Sequence, residues 1–240
     1  MENRQPLYEG KAKKLFESGN PKQLILEYKD SLTAFNAQKK STEEGKGTLN
    51  NLISAYLFER LSGAGINTHY IKMLDNKRQL VKKTRIIPLE VVLRNVTAGS
   101  LCKRLGVPEN MKLEPALVEF YLKDDVLGDP IVTEDQAVSF GWATRDEIEE
   151  MKSTTRKVND ALRDIFASRN ILLVDFKLEF GRTDDGDLVL ADEISPDTCR
   201  FRDTSSGDSL DKDRFRKDMG NVLEAYREIW CRLSGEEEES

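Results

Sequence analysis

The run Leu173 to Gly181 (LVDFKLEFG) sets two kinds of side chain in alternation. Successive side chains of a strand point to opposite faces, so Val174, Phe176, Leu178 and Phe180 share one face and Asp175, Lys177 and Glu179 the other. The apolar face reads as core. The charged face has two readings: a solvated surface whose ion pairs contribute little, or a working surface. The turn signal Thr183-Asp184-Asp185-Gly186-Asp187 predicts a hairpin to a second strand, Leu188 to Glu193, which brings Asp192 near the level of Glu179. Two carboxylates on adjacent strands, with room for water and phosphate oxygens, are a common seat for Mg²⁺ in phosphoryl transfer. A lysine between them neutralises the group being transferred.

A second group of residues suits an anion. Arg94 precedes Gly99-Ser100, and Ser100 opens a predicted short helix through Leu105. Glycine lets the backbone approach a ligand, and the unpaired N–H groups of a helix start attract phosphate. The plainer reading is a helix start beside a surface arginine. Arg200 and Arg202 follow the loop Ser195-Pro196-Asp197-Thr198, with Lys212, Arg214 and Arg216 beyond. Near the N-terminus, Gly10-Lys11-Ala12-Lys13 lacks the glycine spacing and the Ser/Thr of a P-loop, as does Gly45-Lys46-Gly47-Thr48. Lys11 and Lys13 lie two apart on a predicted strand and so face one side, as phosphate-facing lysines would.

Other chemistries are poorly supplied. His69 is the only histidine, which removes a His-rich metal site and makes a Ser-His-Asp triad implausible; it reads as a structural residue. Cys102, Cys199 and Cys231 are odd in number and far apart, as for free thiols in a reducing cytoplasm, and none has zinc-ligand spacing. Lys and Arg total 37 against 43 Asp and Glu, and Glu236 to Glu239 carry four of the six net negative charges. That near-neutral body lacks the basic excess of a nucleic-acid binder. No apolar run exceeds four residues, so no membrane span is expected, and Met1 to Pro6 lacks the apolar stretch of a signal peptide.

The elements that must hold these residues are legible in outline. With 240 residues, 38% of them apolar and 33% charged, the chain suffices for one large domain or two lobes about a cleft. Strands are expected at Leu7 to Phe16, turning at Glu9-Gly10-Lys11, and at Leu24 to Tyr28. The polar, glycine-punctuated stretch Lys39 to Thr48 reads as a mobile loop. Leu49, Leu52, Ile53, Tyr56, Leu57 and Leu61 mark a helix ended by Gly63 and Gly65. Strands follow at Thr68 to Leu74, Gln79 to Lys83 and Leu89 to Val96. Thr144 and Glu147 suggest a capping box for a long helix to Asn170. The stripe Phe215, Met219, Val222, Leu223, Tyr226, Ile229, Trp230, Leu233 predicts one amphipathic C-terminal helix. We place the lobe boundary near Thr84, giving a mostly β N-terminal nucleotide lobe (1–84) and a C-terminal α+β lobe (85–240) with a disordered acidic tail (235–240).

Several long motifs in order resemble one family. Leu7 to Lys13, Ile87-Pro88-Leu89-Glu90-Val91-Val92-Leu93-Arg94 with Thr97-Ala98-Gly99-Ser100, Leu173 to Gly181, Asp192-Glu193 with Ser195-Pro196-Asp197, and Lys212 to Arg216 are similar to the SAICAR synthases, in their short monofunctional bacterial form. The resemblance implies a two-lobed α+β fold akin to ATP-grasp enzymes and kinases, with antiparallel sheets and a C-terminal helix. It implies ATP-dependent ligation of L-aspartate to carboxyaminoimidazole ribonucleotide (CAIR) in purine biosynthesis, with Mg²⁺, small-molecule substrates only, a cytoplasmic location and a homodimer. Carried over by motif, Gly10, Lys11, Ala12 and Lys13 would approach the ATP phosphates, and Val81 and Lys82 the adenine. Glu179 and Asp192 would hold Mg²⁺, with Lys177 at the reacting groups. Arg94, Ser100 and Arg200 would grip the ribonucleotide phosphate, with Asp175 near the imidazole and Lys212 and Arg216 in the same pocket. Asn36 departs from the aspartate common at that position. Competing readings are a small-molecule kinase using the same cleft and a nucleotide-binding regulator without turnover.

Overall fold

The computed structural model describes residues 5–34 and 39–235; Asn36 and the tail from Glu236 lie outside them. The N-terminal part contains β1 (Tyr8–Glu9), β2 (Lys13–Glu17), β3 (Gln23–Tyr28), β4 (Ser31–Ala34), β5 (Lys39–Thr42), α1 (Lys46–Gly63), β6 (Tyr70–Asp75) and β7 (Arg78–Lys82). Then come β8 (Thr84–Val96), α2 (Ser100–Leu105), β9 (Lys112–Leu122), β10 (Ile131–Val132), α3 (Glu134–Ser139) and α4 (Arg145–Ala167). The chain continues through β11 (Ile171–Thr183), β12 (Leu188–Ala191), β13 (Cys199–Asp203), α5 (Asp213–Arg216) and α6 (Val222–Ser234).

Two antiparallel sheets dominate. One has the order β1-β2-β3-β7-β6, the other β10-β9-β8-β11-β12 with β13 also on β11, and β4 and β5 pair by themselves. The first sheet buries a small cluster, Leu26, Tyr28 and Val81. The main core runs from Ile53, Leu57 and Phe58 of α1 through β8 and β11 to Phe166 of α4 and Ile229 of α6. So α1, though it belongs to the N-terminal stretch, packs its apolar side into the C-terminal body. The α4 start has the expected box: Thr144 Oγ1 accepts from the Glu147 amide, and the Glu147 carboxylate accepts from the Thr144 amide. The same Glu147 accepts from Nη2 of Arg182 on β11 at 2.5 Å, so the cap also docks the helix on the sheet.

Three expectations need correction. Lys39 to Thr48 is no loop: β5 and the first turn of α1 occupy most of it. Its charge misleads because Lys46 is buried against Asp197, 2.5 Å away, and is not solvated. The C-terminal stripe is not one helix. Asp218, Gly220 and Asn221 take φ values of 55°, 72° and 52°, which breaks the run into α5 and α6. Lys11 lies in the turn before β2, so it and Lys13 are not on one strand face.

Candidate active site

Between the sheets lies a cavity of about 860 Å³. Leu15, Leu24, Leu26 and Val81 of the first sheet line one side, and Glu90, Arg94, Asp175, Lys177 and Glu179 of the second line the other. The register explains that second wall. Arg94 pairs with Asp175, Val92 with Lys177 and Glu90 with Glu179 across β8 and β11, so alternate residues of both strands face the cavity together. Lys177 Nζ lies 2.5 Å from Glu90 and 3.1 Å from Glu179. Burial opposes its charge, but Glu179, Glu90 and Asp192 outweigh that and raise the Lys177 pKa, so it stays an ammonium. Burial pushes the Glu90 carboxyl upward.

Asp192 arrives by a device the pattern does not show. Glu179 pairs with Ala191, so strict alternation would turn Asp192 to the opposite face. Asp192 instead takes a left-handed φ of 63° just beyond β12, and its carboxylate meets Lys13 in the cavity wall. Lys13 also lies 2.8 Å from Glu193. Against the cost of burial, Lys13, Lys177 and Lys123 hold the Asp192 pKa well below the usual carboxylate range. Glu179 pairs with Lys123 as well. Lys11 reaches across to Asp125 at 2.6 Å. Gly10, Ala12, Val81 and Lys82 line the same cavity, and the Lys82 amide is taken by the His69 carbonyl at 2.6 Å.

The anion group also assembles. Arg94 is buried rather than at the surface; its Nη1 donates to Asp175 at 2.7 Å and its Nη2 to Ser100 Oγ at 3.3 Å. Arg200 Nη1 donates to the same Asp175 carboxylate at 2.9 Å and its Nε to Asp213 at 3.0 Å. Gly99 has a φ of 59°, and a Cβ there would lie 2.6 Å from the Arg200 guanidinium, so only glycine admits this approach. Lys212 lies 3.8 Å from Asp197, and Arg216 donates to Asp213 at 2.7 Å. Burial lowers the Lys212 pKa against the pull of Asp197. Arg202 does not line the cavity and turns to Asp211 at 3.0 Å.

Sequence reasoning left Glu90, Glu119, Tyr121, Lys123 and Asp197 without roles. Glu90 had a signal, since it stands four residues before Arg94 on an alternating strand. Lys123 and Glu119 had none, because their partners, Glu179 of β11 for the one and Arg94 of β8 with Arg104 of α2 for the other, are brought to them only by the fold. His69 is buried, with its ring edge-on to Phe58, centroids 5.3 Å apart, and it also lines the cavity. Burial holds its pKa down at about 4.

Two antiparallel sheets about a cavity walled by interleaved acids, lysines and arginines define a two-lobed α+β protein with a charged central cleft. Known proteins narrow the class. A profile of the SAICAR synthetase family matches residues 6–233. Phosphoribosylaminoimidazole-succinocarboxamide synthases from Persephonella marina and Caulobacter vibrioides are each 52% identical to this chain, over 100% of both chains and over 96% and 92% respectively. The crystal structure of the Ehrlichia chaffeensis synthase superposes with a TM-score of 0.94 at 47% identity, covering 96% of this chain and 98% of that one. A SAICAR synthetase in complex with ADP gives 0.93 at 49%, covering 97% and 99%. The chain belongs to the SAICAR synthetase family.

Proposed function

We propose that the protein joins L-aspartate to the carboxylate of CAIR at the expense of ATP, giving SAICAR, ADP and phosphate in purine biosynthesis. The observation that carries this reading is the near-complete match to relatives bearing that synthase name, one solved with ADP, combined with a cavity whose charges suit three anionic substrates. A carboxylate is a poor acyl donor because its leaving group would be oxide. Transfer of the γ-phosphoryl group to a CAIR carboxylate oxygen makes an acyl phosphate; the aspartate amine then attacks the carbonyl carbon, and phosphate leaves with the C–O bond electrons.

In this reading Lys11 and Lys13 meet the ATP phosphates from the first sheet, with the base against Val81 and Lys82. Lys177 keeps its proton and so neutralises the phosphoryl group in transit rather than acting as a base. Arg94, Ser100 and Arg200 receive the ribonucleotide phosphate, Asp175 fixes both arginines beside the imidazole, and Lys212 and Arg216 close that end. Glu179 and Asp192 suit Mg²⁺: both are hard oxygen donors in the cavity wall, and both have lysine partners that could move to phosphate. Among the described residues no group of three or more His, Cys, Asp or Glu side chains could hold a metal alone. When bound, Mg²⁺ would withdraw charge from the phosphate oxygens.

We read the two sheets as the two lobes, dividing near Thr84, and the protein as a cytoplasmic homodimer. Cys102, Cys199 and Cys231 form no disulfide among the described residues, in keeping with that location. Among the described residues no helix is long and apolar enough to cross a membrane. The deciding experiment is ADP release with each substrate omitted in turn. Release that requires CAIR and aspartate together supports the ligase; steady turnover without aspartate would make the protein a small-molecule kinase instead.

A further inference from the structure

Glu119 is a buried carboxylate on β9 that does not line the cavity, yet it organises a group that does. Its Oε2 accepts from Nε of Arg94 at 2.7 Å and from the Tyr121 hydroxyl at 2.9 Å, and its Oε1 pairs with Arg104 at the end of α2. Tyr121 closes the circuit. While its O–H donates to Glu119, its oxygen accepts from Arg94 Nη2 at 3.2 Å and from Arg104 Nη1 at 3.0 Å. Two guanidinium groups, which would repel one another, are thereby held together by one acid and one phenol, with Arg94 the one that reaches Ser100. A guanidinium recognises phosphate through two parallel N–H bonds, so its orientation matters as much as its charge.

We propose that Glu119 is a positioning residue for the ribonucleotide phosphate, fixing Arg94 in plane and drawing Arg104 in as a second cation at the rim of the same subsite. This rests on the phosphate lying at Arg94, Ser100 and Arg200. The alternative roles of Glu119 differ in sign. If it served only to balance charge, its removal would leave the pocket more positive and the phosphate better bound. If it served only stability, its loss would weaken all ligands alike. As a positioning residue, its loss weakens the phosphate alone although the site has become more positive.

The test measures steady-state constants for CAIR, for the dephosphorylated nucleoside, for ATP and for aspartate. Glu119→Gln preserves shape and removes charge. Partners that orient metal-ligating side chains typically matter by about 10- to 100-fold, and by analogy the KM for CAIR should rise by about that factor. The constants for nucleoside and ATP should hold, as should kcat at saturating CAIR, and Glu119→Asp should recover part of the loss. Arg104→Ala and Tyr121→Phe leave the acid in place and should shift the same constant the same way, less strongly; they decide the matter if Glu119→Gln does not fold. A lower KM for CAIR in Glu119→Gln, or an equal weakening of every ligand, overturns the proposal. Arg200→Ala separates the two levels of inference. If it loses the preference for nucleotide over nucleoside while Glu119→Gln, Arg104→Ala and Tyr121→Phe retain it, Glu119 is not a positioning residue and the phosphate site stands. If Arg200→Ala retains it too, the phosphate lies elsewhere and both fail.

Discussion

Asp192 combines a left-handed backbone, a half-buried carboxylate and three nearby lysines. A merely structural ion pair would tolerate replacement, whereas a metal seat would not. Asp192→Asn should lose activity by about 100-fold or more, the scale of one lost electrostatic contact to a reacting group. Its circular dichroism should match the wild type, and raised Mg²⁺ should restore part of the rate. Wild-type turnover at ordinary Mg²⁺ would remove Asp192 from the site. His69 supports a second residue-scale prediction, about pH. Its buried imidazole has a folded pKa of about 4, below the usual value near 6.5. From pH 6.5 down to 4 the unfolded chain therefore binds a proton that the folded chain does not, and stability falls with falling pH by up to about 3 kcal/mol. As the only histidine, it owns the upper part of that window. His69→Gln should flatten the denaturant midpoint between pH 6.5 and 5; an unchanged slope would mean that the ring is protonated when folded. At this scale the alternation of Asp175, Lys177 and Glu179 was legible because a strand converts spacing directly into facing. Asp192 reached the predicted cavity by a backbone conformation that no pattern encodes.

Charged residues misled most at the level of elements. Lys46 looks like loop chemistry, yet it begins α1 as a buried ammonium. Its partner Asp197 also accepts from Asn50 of α1 at 3.0 Å and from the Tyr226 hydroxyl of α6 at 2.7 Å. One carboxylate thus joins α1, the Ser195–Thr198 loop and α6, which composition cannot reveal because the partners lie 151, 147 and 29 residues away. Breaking such a pair strands the remaining charge, at a cost of about 3–5 kcal/mol. Asp197→Ala should lower Tm by about 6–20 °C. Adding Lys46→Met should recover part of the loss, because an apolar replacement of a buried pair is often tolerated. If the double variant melts below the single one, Lys46 has another anionic partner. The capping box of α4, by contrast, was readable because its two residues are local. Thr144→Ala should cost about 1 kcal/mol in chemical denaturation and leave activity unchanged.

For the whole molecule, the lobe boundary proposed near Thr84 would divide the strands of the two large sheets but not the core. Ile53, Leu57, Phe58 and Tyr70 from before it share one apolar cluster with β8, β11 and α6 from after it, while the first sheet buries only a few residues of its own. The chain should therefore unfold in a single calorimetric transition, with van't Hoff and calorimetric enthalpies in agreement. A fragment of residues 1–84 should show no cooperative melt, because its helix would expose the face it buries in the body. Two separate transitions, or a folded fragment, would make the lobes true domains.

The salt links that fill the cavity bear on the kind of molecule that could block it. Lys13, Lys123 and Lys177 are already neutralised by Asp192, Glu193, Glu179 and Glu90. An incoming polyanion exchanges partners with these pairs, and for Lys13 and Lys177 much of the desolvation precedes its arrival, whereas Lys123 is still 44% exposed. A neutral compound has nothing to exchange and must either leave the pairs whole or strand their members. Inhibitor chemistry thus divides in two. Uncharged scaffolds belong against Leu15, Leu24, Leu26 and Val81, where burial alone rewards them. Compounds that reach beyond must bring anionic groups for the lysines and either a metal or a cation for the acids. Charge matching, rather than added size, should set the potency of any series grown from the apolar end inward.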